Sequence, residues 1–193
     1  MVTVDAPRIA LLVEGNSDRA ALHALAAREQ RDLASDAVDV VPMGGITNIR
    51  AFALHFGPRG LGLALAGLYD AGEEGFVRRG LVAAGLPAAA EPGGLEHLGF
   101  FRCEADLEEE LIRALGVDGV EAVIDAAGER RSLERLRQMP AQQGWTPAMV
   151  LRRFLGSRSG RKAKYAALMV EALAPDRVPA PLRAVLDQSN RDF

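Results

Sequence analysis

Ile9-Ala10-Leu11-Leu12-Val13-Glu14-Gly15-Asn16-Ser17-Asp18 sets five consecutive apolar residues against an abrupt polar turn. A strand with one wet face alternates apolar and polar residues, so an unbroken apolar run of this length fits a strand buried on both faces of a parallel sheet. Parallel strands need a crossover, and a helix is therefore expected at once. Asn16 or Ser17 can cap it, while Leu22, Leu25 and Ala26 supply an inward stripe through about Gln30.

The same grammar repeats outward from this stretch. Residues 38–42 read as a second strand, and Met43-Gly44-Gly45 as a turn whose glycines admit backbone shapes closed to other residues. Thr47 or Asn48 opens a helix ending near Gly57. Residues 63–69 form a third apolar run that delivers Asp70 at its end, residues 76–84 a helix, and residues 97–103 a fourth strand. The Ala/Pro/Gly-rich residues 84–94 between them read as a loop. Beyond 104 the spacing of Leu107, Leu111, Ile112 and Leu115 is helical, with Gly116 as a C-terminal cap. Helices follow near 117–127, 131–138, 147–155, 161–173 and 180–188, and no strand is expected among them. The expected architecture is α/β, a Rossmann-like and mostly parallel four-stranded sheet flanked by helices. Residues 1–115 form that α/β domain, and 116–193 an α-helical region packed on it or completing its site.

Composition narrows the chemistry. With 193 residues, 49% hydrophobic and 25% charged, the chain can bury a core. Cys103 is the single cysteine, which excludes an intramolecular disulfide and a zinc site built on several thiolates, so any metal is held mainly by oxygen. No apolar stretch approaches the ~20 residues that cross a bilayer, and MVTVDAPRIALLVEG lacks a basic region followed by a cleavable apolar segment. A cytoplasmic protein without membrane partners is the expectation. The formal charge of −3 gives no global pull on nucleic acid, but the charges are segregated. Residues 104–110 hold five acids, and residues 151–164 hold six bases, including both lysines of the chain, and no acid.

In an open parallel sheet, ligands bind at the C-terminal strand ends. Here those ends are acidic: Glu14 follows strand one, Asp70 strand three, and Glu104, Asp106 and Glu108 strand four. Carboxylates gathered there repel each other unless a proton or cation intervenes, the situation of Mg²⁺ and Mn²⁺ sites acting on phosphate esters. Each acid also has a plainer reading. Glu14 and Asp18 could simply favour the positive end of the following helix, worth about 0.3–1 kcal/mol, and Glu109 and Glu110 suit a solvated helix face. Glu104 and Glu108 share one face of a regular helix and Asp106 does not, so all three cannot serve one ion.

Leu12-Val13-Glu14-Gly15-Asn16-Ser17-Asp18, then Val41-Pro42-Met43-Gly44-Gly45-Ile46-Thr47-Asn48, then Leu68-Tyr69-Asp70 resembles a Toprim domain, and more closely the Toprim nuclease half of the OLD (overcoming lysogenization defect) family. The resemblance spans residues 8–115, with a looser likeness in the helical tail. It implies a nuclease using Mg²⁺ or Mn²⁺ on nucleic acid, with DNA as the expected partner. Glu14 matches the Toprim glutamate, a metal ligand or general acid/base; Asp18 matches the acid one turn later; and Asp70 matches the first acid of the Asp-x-Asp motif. Asp106 and Glu108 resemble the later acidic pair, and Lys162 or Lys164 the C-terminal lysine. The departure is Asp70-Ala71-Gly72-Glu73-Glu74, where glycine replaces the second aspartate; Glu73 or Glu74 substitutes only if the backbone bends. No GxxxxGK[ST] loop occurs, so a separately encoded ATPase is the expected partner if one is used.

The basic stretch gives Arg152, Arg153, Arg158, Arg161, Lys162 and Lys164 as candidate phosphate contacts, against the plainer reading of a solvated helix end. His23, His55 and His97 lack spaced partners for zinc or base catalysis, and Trp145 reads as a packing anchor.

Overall fold

The computed structural model describes residues 8–188. Four strands, β1 (Ile9–Val13), β2 (Val38–Pro42), β3 (Ala64–Asp70) and β4 (Phe100–Cys103), form one all-parallel sheet in the order β2-β1-β3-β4. The helices are α1 (Asn16–Arg28), α2 (Ile49–Phe56), α3 (Glu74–Ala83), α4 (Gly94–His97), α5 (Leu107–Ala126), α6 (Arg130–Arg137), α7 (Pro147–Leu155), α8 (Arg161–Ala172) and α9 (Ala180–Asp187).

β1 is central and wholly buried, as its unbroken apolar run requires. Its odd and even residues serve different layers. Ile9, Leu11 and Val13 join Val38, Val40, Ala66 and Leu68 in a core roofed by α1 and the helices after residue 106. Ala10 and Leu12 join Val41, Leu65, Tyr69 and Phe100 beneath α2, α3 and α4. Each large aliphatic side chain so buried is worth about 1.5–3 kcal/mol, so this double lamination anchors the sheet. The register Val13↔Pro42, Leu12↔Gly67 and Asp70↔Cys103 then brings the polar residues after each strand to one edge.

Several boundaries differ from the sequence expectation. α1 is capped by Gly15 rather than Asn16 or Ser17: glycine has no capping side chain, and Asp18 Oδ2 reaches back to accept the Gly15 N–H at 2.8 Å. A 3₁₀ turn, Ile46–Asn48, precedes α2. His97 belongs to α4, so the fourth strand starts only at Phe100, and the expected loop contains the 3₁₀ turn Pro87–Ala90. Gly116 behaves as expected: at φ 75° and ψ 162° it leaves helical geometry and divides α5 into a stretch ending at Leu115 and the expected helix that follows it. Among the described residues no helix is long and apolar enough to cross a membrane.

Candidate metal centre

The β1–α1 turn is locked to the β2–α2 turn. The Glu14 carbonyl accepts N–H bonds from both Gly44 and Gly45 at 3.0 and 3.1 Å, and the Met43 N–H donates to the Val13 carbonyl at 2.9 Å. Two successive donors can converge on one oxygen because Gly44 and Gly45 take φ of 72° and 126°, the region that side chains avoid. Asn48 Nδ2 ties the turn off by donating to the Met43 carbonyl at 2.9 Å. The Glu14 backbone is thereby held at the sheet edge.

Asp70 closes β3, and the 3₁₀ turn Ala71–Glu73 follows immediately. This is the bend that the sequence leaves open. It carries Glu73 back to the strand end, where one carboxylate oxygen each from Glu14, Asp70 and Glu73 lie within 4.8 Å of one another. Glu74 goes elsewhere, pairing with Arg78 at 2.7 Å.

On the other side of Asp70 a cavity of about 360 Å³ opens, lined by Glu14, Asp18, Asp70, Asp106, Glu108 and Lys162, with the backbone of Gly44 and Gly45 as one wall. Its charges are not balanced. Among the described residues no cation pairs with Glu14, Asp70 or Glu73. Burial, and then the charges of Glu14, Glu73, Asp106 and Asp18, push the Asp70 carboxyl up to about 7. Burial also lifts Asp18 to about 6, helped by Glu108 and Glu14 against the Gly15 hydrogen bond. Burial and Glu14 raise Glu73 as well, and its Oε2 is buried without a hydrogen-bond partner. An all-oxygen donor set with an orphaned carboxylate atom and no internal counter-charge fits a hard divalent cation.

The later acids are partly neutralised by the chain itself. Asp106 caps α5, its Oδ1 accepting the Glu109 N–H at 2.8 Å while Oδ2 pairs with Arg152. Arg152 also holds Glu109 at 2.7 Å. Glu108, 8% exposed, faces Lys162 across the cavity at 3.4 Å. Glu104 lies outside, paired with Arg102 at 2.8 Å.

The six bases divide. Lys162 enters the cavity, whereas Lys164, two residues on and so on another face of α8, pairs with Glu129 at 3.0 Å. Arg161 is withdrawn from the surface: it is buried, bonded to Glu129, to Ser157 Oγ at 2.6 Å and to the Phe154 carbonyl at 3.2 Å, and stacked over the Phe154 ring at 4.1 Å. It is therefore a poor phosphate contact, its donors being spent inside. Arg152 is exposed but committed to Asp106 and Glu109. Arg153 and Arg158 are exposed and have no ion-pair partner among the described residues. Ser17 and Leu107 also line the cavity; the sequence offers them as a helix cap and an apolar helix position and not as site residues, and Ser17, in the first turn of α1 beside Asp18, is the one that position could have flagged.

Residues 8–71 match the family model described as the overcoming lysogenization defect protein-like Toprim domain. The chain carries an OLD-like Toprim domain. Toprim domains generally bind divalent metals, and this family is associated with nucleases and nucleic acid. The all-parallel sheet of this Toprim domain and its helical tail are shared with solved C-terminal regions of OLD proteins. One from Xanthomonas campestris pv. campestris, phased with platinum, is 29% identical with a TM-score of 0.69, covering 94% of this chain and 91% of that one. The iodine-phased structure of the same region gives 25% identity and a TM-score of 0.66 over 95% and 94%. The C-terminal region of the Burkholderia pseudomallei OLD protein, 23% identical over 95% and 97% with a TM-score of 0.66, shares the fold. No curated protein matches the chain.

Proposed function

We propose that this Toprim domain cleaves phosphodiester bonds of nucleic acid, most naturally DNA, with Mg²⁺ or Mn²⁺ held by Glu14, Asp70 and Glu73. The observation that carries the reading is the convergence of those three carboxylates, uncompensated by any described cation, beside a cavity with one lysine. When bound, the ion would polarise the phosphate and favour ionisation of an attacking water.

The remaining work falls to the chain. Asp18 fixes the β1–α1 turn through the Gly15 N–H and so orients Glu14. Its carboxyl, titrating near 6, is poised to exchange a proton close to neutrality. Lys162, positioned by Glu108, faces the space where a phosphate oxygen gains charge, and a preplaced cation there favours the transition state over the ground state. Arg153 and Arg158 supply sequence-independent backbone contacts. Asp106 acts by capping α5 and so placing Glu108.

The test compares plasmid and single-stranded DNA cleavage with Mn²⁺ by wild type, Glu14→Gln and Asp70→Asn. Cleavage confined to wild type supports the assignment, and equal cleavage by all three refutes it. A second reading, a non-catalytic module that binds nucleic acid and works with a separately encoded ATPase, is favoured by Gly72, which removes one acid from the motif. Mn²⁺ binding in calorimetry without turnover on any nucleic acid supports that reading instead.

A further inference from the structure

We propose that a groove along the outer edge of β4 binds one unstacked nucleobase of the strand whose phosphate enters the metal centre; the inference rests on the nucleic-acid reading above and specifies its substrate as single-stranded or locally opened. The groove has a volume of about 440 Å³, and its walls include Tyr69, Leu95, Phe100, Phe101, Arg102 and Ala180. Three independent features equip it for a base.

The first is Tyr69. The residue is 7% exposed, and its hydroxyl, which bonds no described residue, opens to the solvent of the groove and is free to bond a ligand there. Burial, and then the charge of Glu74, raise Tyr69, so the hydroxyl stays protonated and available as a donor.

The second is the strand edge. The Gly67 N–H donates to the Gly99 carbonyl, so in the parallel ladder Phe101 and Cys103 also bond toward β3 while the N–H and C=O of Phe100 and Arg102 point outward. Those outward groups have no partner among the described residues. Two outward residues in a four-residue strand are few for adding a fifth strand, but they offer the paired donor and acceptor that the edge of one base requires.

The third is position. Tyr69 immediately precedes Asp70, and across the ladder Arg102 is level with Tyr69 as Cys103 is with Asp70. The groove therefore lies at the same end of the sheet as the metal centre, on the neighbouring strand edge and with no lining residue in common with the cavity beside Asp70, and in this proposal the nucleic-acid strand runs from one to the other. The half-buried Phe101 ring and the Arg102 guanidinium, paired among the described residues with the exposed Glu104, project from opposite faces of β4 and each offer a flat surface on which a single-stranded base stacks.

The experiment titrates the whole chain, in EDTA so that bound metal plays no part, into a short single-stranded oligodeoxynucleotide carrying one 2-aminopurine. A saturable fluorescence change is expected, weakened severalfold in Tyr69→Phe and about tenfold or more in Ala180→Trp, which fills the groove from an exposed position; the same base in a duplex gives no change. Ala180→Trp keeps wild-type Mn²⁺ binding in calorimetry, and Asp70→Asn loses Mn²⁺ binding but keeps the fluorescence change, so failure of the metal reading is separable. Equal titrations by wild type and Ala180→Trp overturn the proposal. So does a concentration-dependent dimer in sedimentation that Ala180→Trp abolishes, which assigns the strand edge to a second copy.

Discussion

Glu73 and Asp70 are three residues apart, yet the single 3₁₀ turn between them sets one carboxylate oxygen of each within 4.8 Å of the other and of Glu14. On the proposed function, Glu73 takes the ligand role that glycine at position 72 leaves open. Glu73→Gln should lower Mn²⁺ affinity roughly tenfold to a hundredfold, while Glu74→Gln, whose carboxylate is already spent on Arg78, should leave it near wild type. Calorimetry on the two variants decides; equal affinities would remove Glu73 from the centre.

Gly72 itself is exposed, and a Cβ built on it meets nothing within 4 Å. Gly72→Asp should therefore fold normally and add a carboxylate beside the cluster. The expected result is tighter Mn²⁺ binding and a metal-free protein that melts lower, because another like charge has joined an uncompensated group. Thermal melts with and without Mn²⁺ give both halves of the answer.

The two lysines differ by position, not by chemistry. Lys162→Met should lower cleavage by about 10²–10³-fold, the range for removing one preplaced transition-state donor, with KM changed far less than kcat. Lys164→Met, which loses a surface pair to Glu129 and a contact over the Tyr165 ring, should cleave within about threefold of wild type. A matching loss in both variants would mean that α8 is presented to substrate through a different face.

The arginines divide in the same manner. Removing the buried guanidinium in Arg161→Ala takes one donor from Glu129, which keeps Lys164 and Tyr165, and one from the Phe154 carbonyl, which keeps Ser157, and it loses the stacking on the Phe154 ring; the change should cost on the order of 2 kcal/mol, read as a lower urea midpoint. Arg153→Ala and Arg158→Ala should change stability by less than about 0.5 kcal/mol while each reduces the salt dependence of DNA binding by about one unit of slope. A salt slope unchanged in both variants would place the nucleic acid on another surface.

These contrasts mark where sequence reading reaches and where it stops. Residues 9–18 are legible because the signal is local: an apolar run long enough to be buried on both faces must end at the sheet edge, and whatever polar residue ends it lies there. Asp70 is found by the same logic, and Gly44-Gly45 by the backbone shapes that their turn demands. Lys162 and Lys164 are not separable locally, since a rotation of two residues along α8 decides which enters the cavity, and that rotation is set by packing of Tyr165, Met169 and Val170 into the core. Arg161 looks like its five basic neighbours until Glu129, 32 residues away in sequence, is brought beneath it. The pairing of Asp106 with Arg152, 46 residues apart, is likewise a product of tertiary structure. The fourth strand is overextended by sequence because Leu98 reads as continuous with Phe100 and Phe101, while the short helix ending at His97 and then Gly99 at φ 86° interrupt the run.

The raised carboxyls also make the metal-free fold sensitive to pH in a definite direction. Asp70 near 7 and Asp18 near 6 both lie above the ordinary value of about 4 that an aspartate has in the unfolded chain. Between those limits the native state binds more protons than the unfolded one, so the contribution of these two groups to stability is complete below pH ~4, falls as pH rises, and is lost above about 7. Other acids act oppositely; Glu121, held below its usual range by the Arg137 hydrogen bond, stabilises the fold as pH rises. The informative quantity is therefore a difference. In EDTA, the urea midpoint of Asp70→Asn minus that of wild type should grow from pH 5 to pH 8, because the amide cannot ionise among Glu14, Glu73 and Asp18. Adding Mg²⁺ or Mn²⁺ should stabilise wild type more at pH 8 than at pH 5 and leave Asp70→Asn nearly unmoved, since the ion competes with the protons for the same oxygens. A difference that stays flat from pH 5 to 8 would mean that Asp70 is ionised without penalty, and the electrostatic case for a cation at this strand end would fail with it.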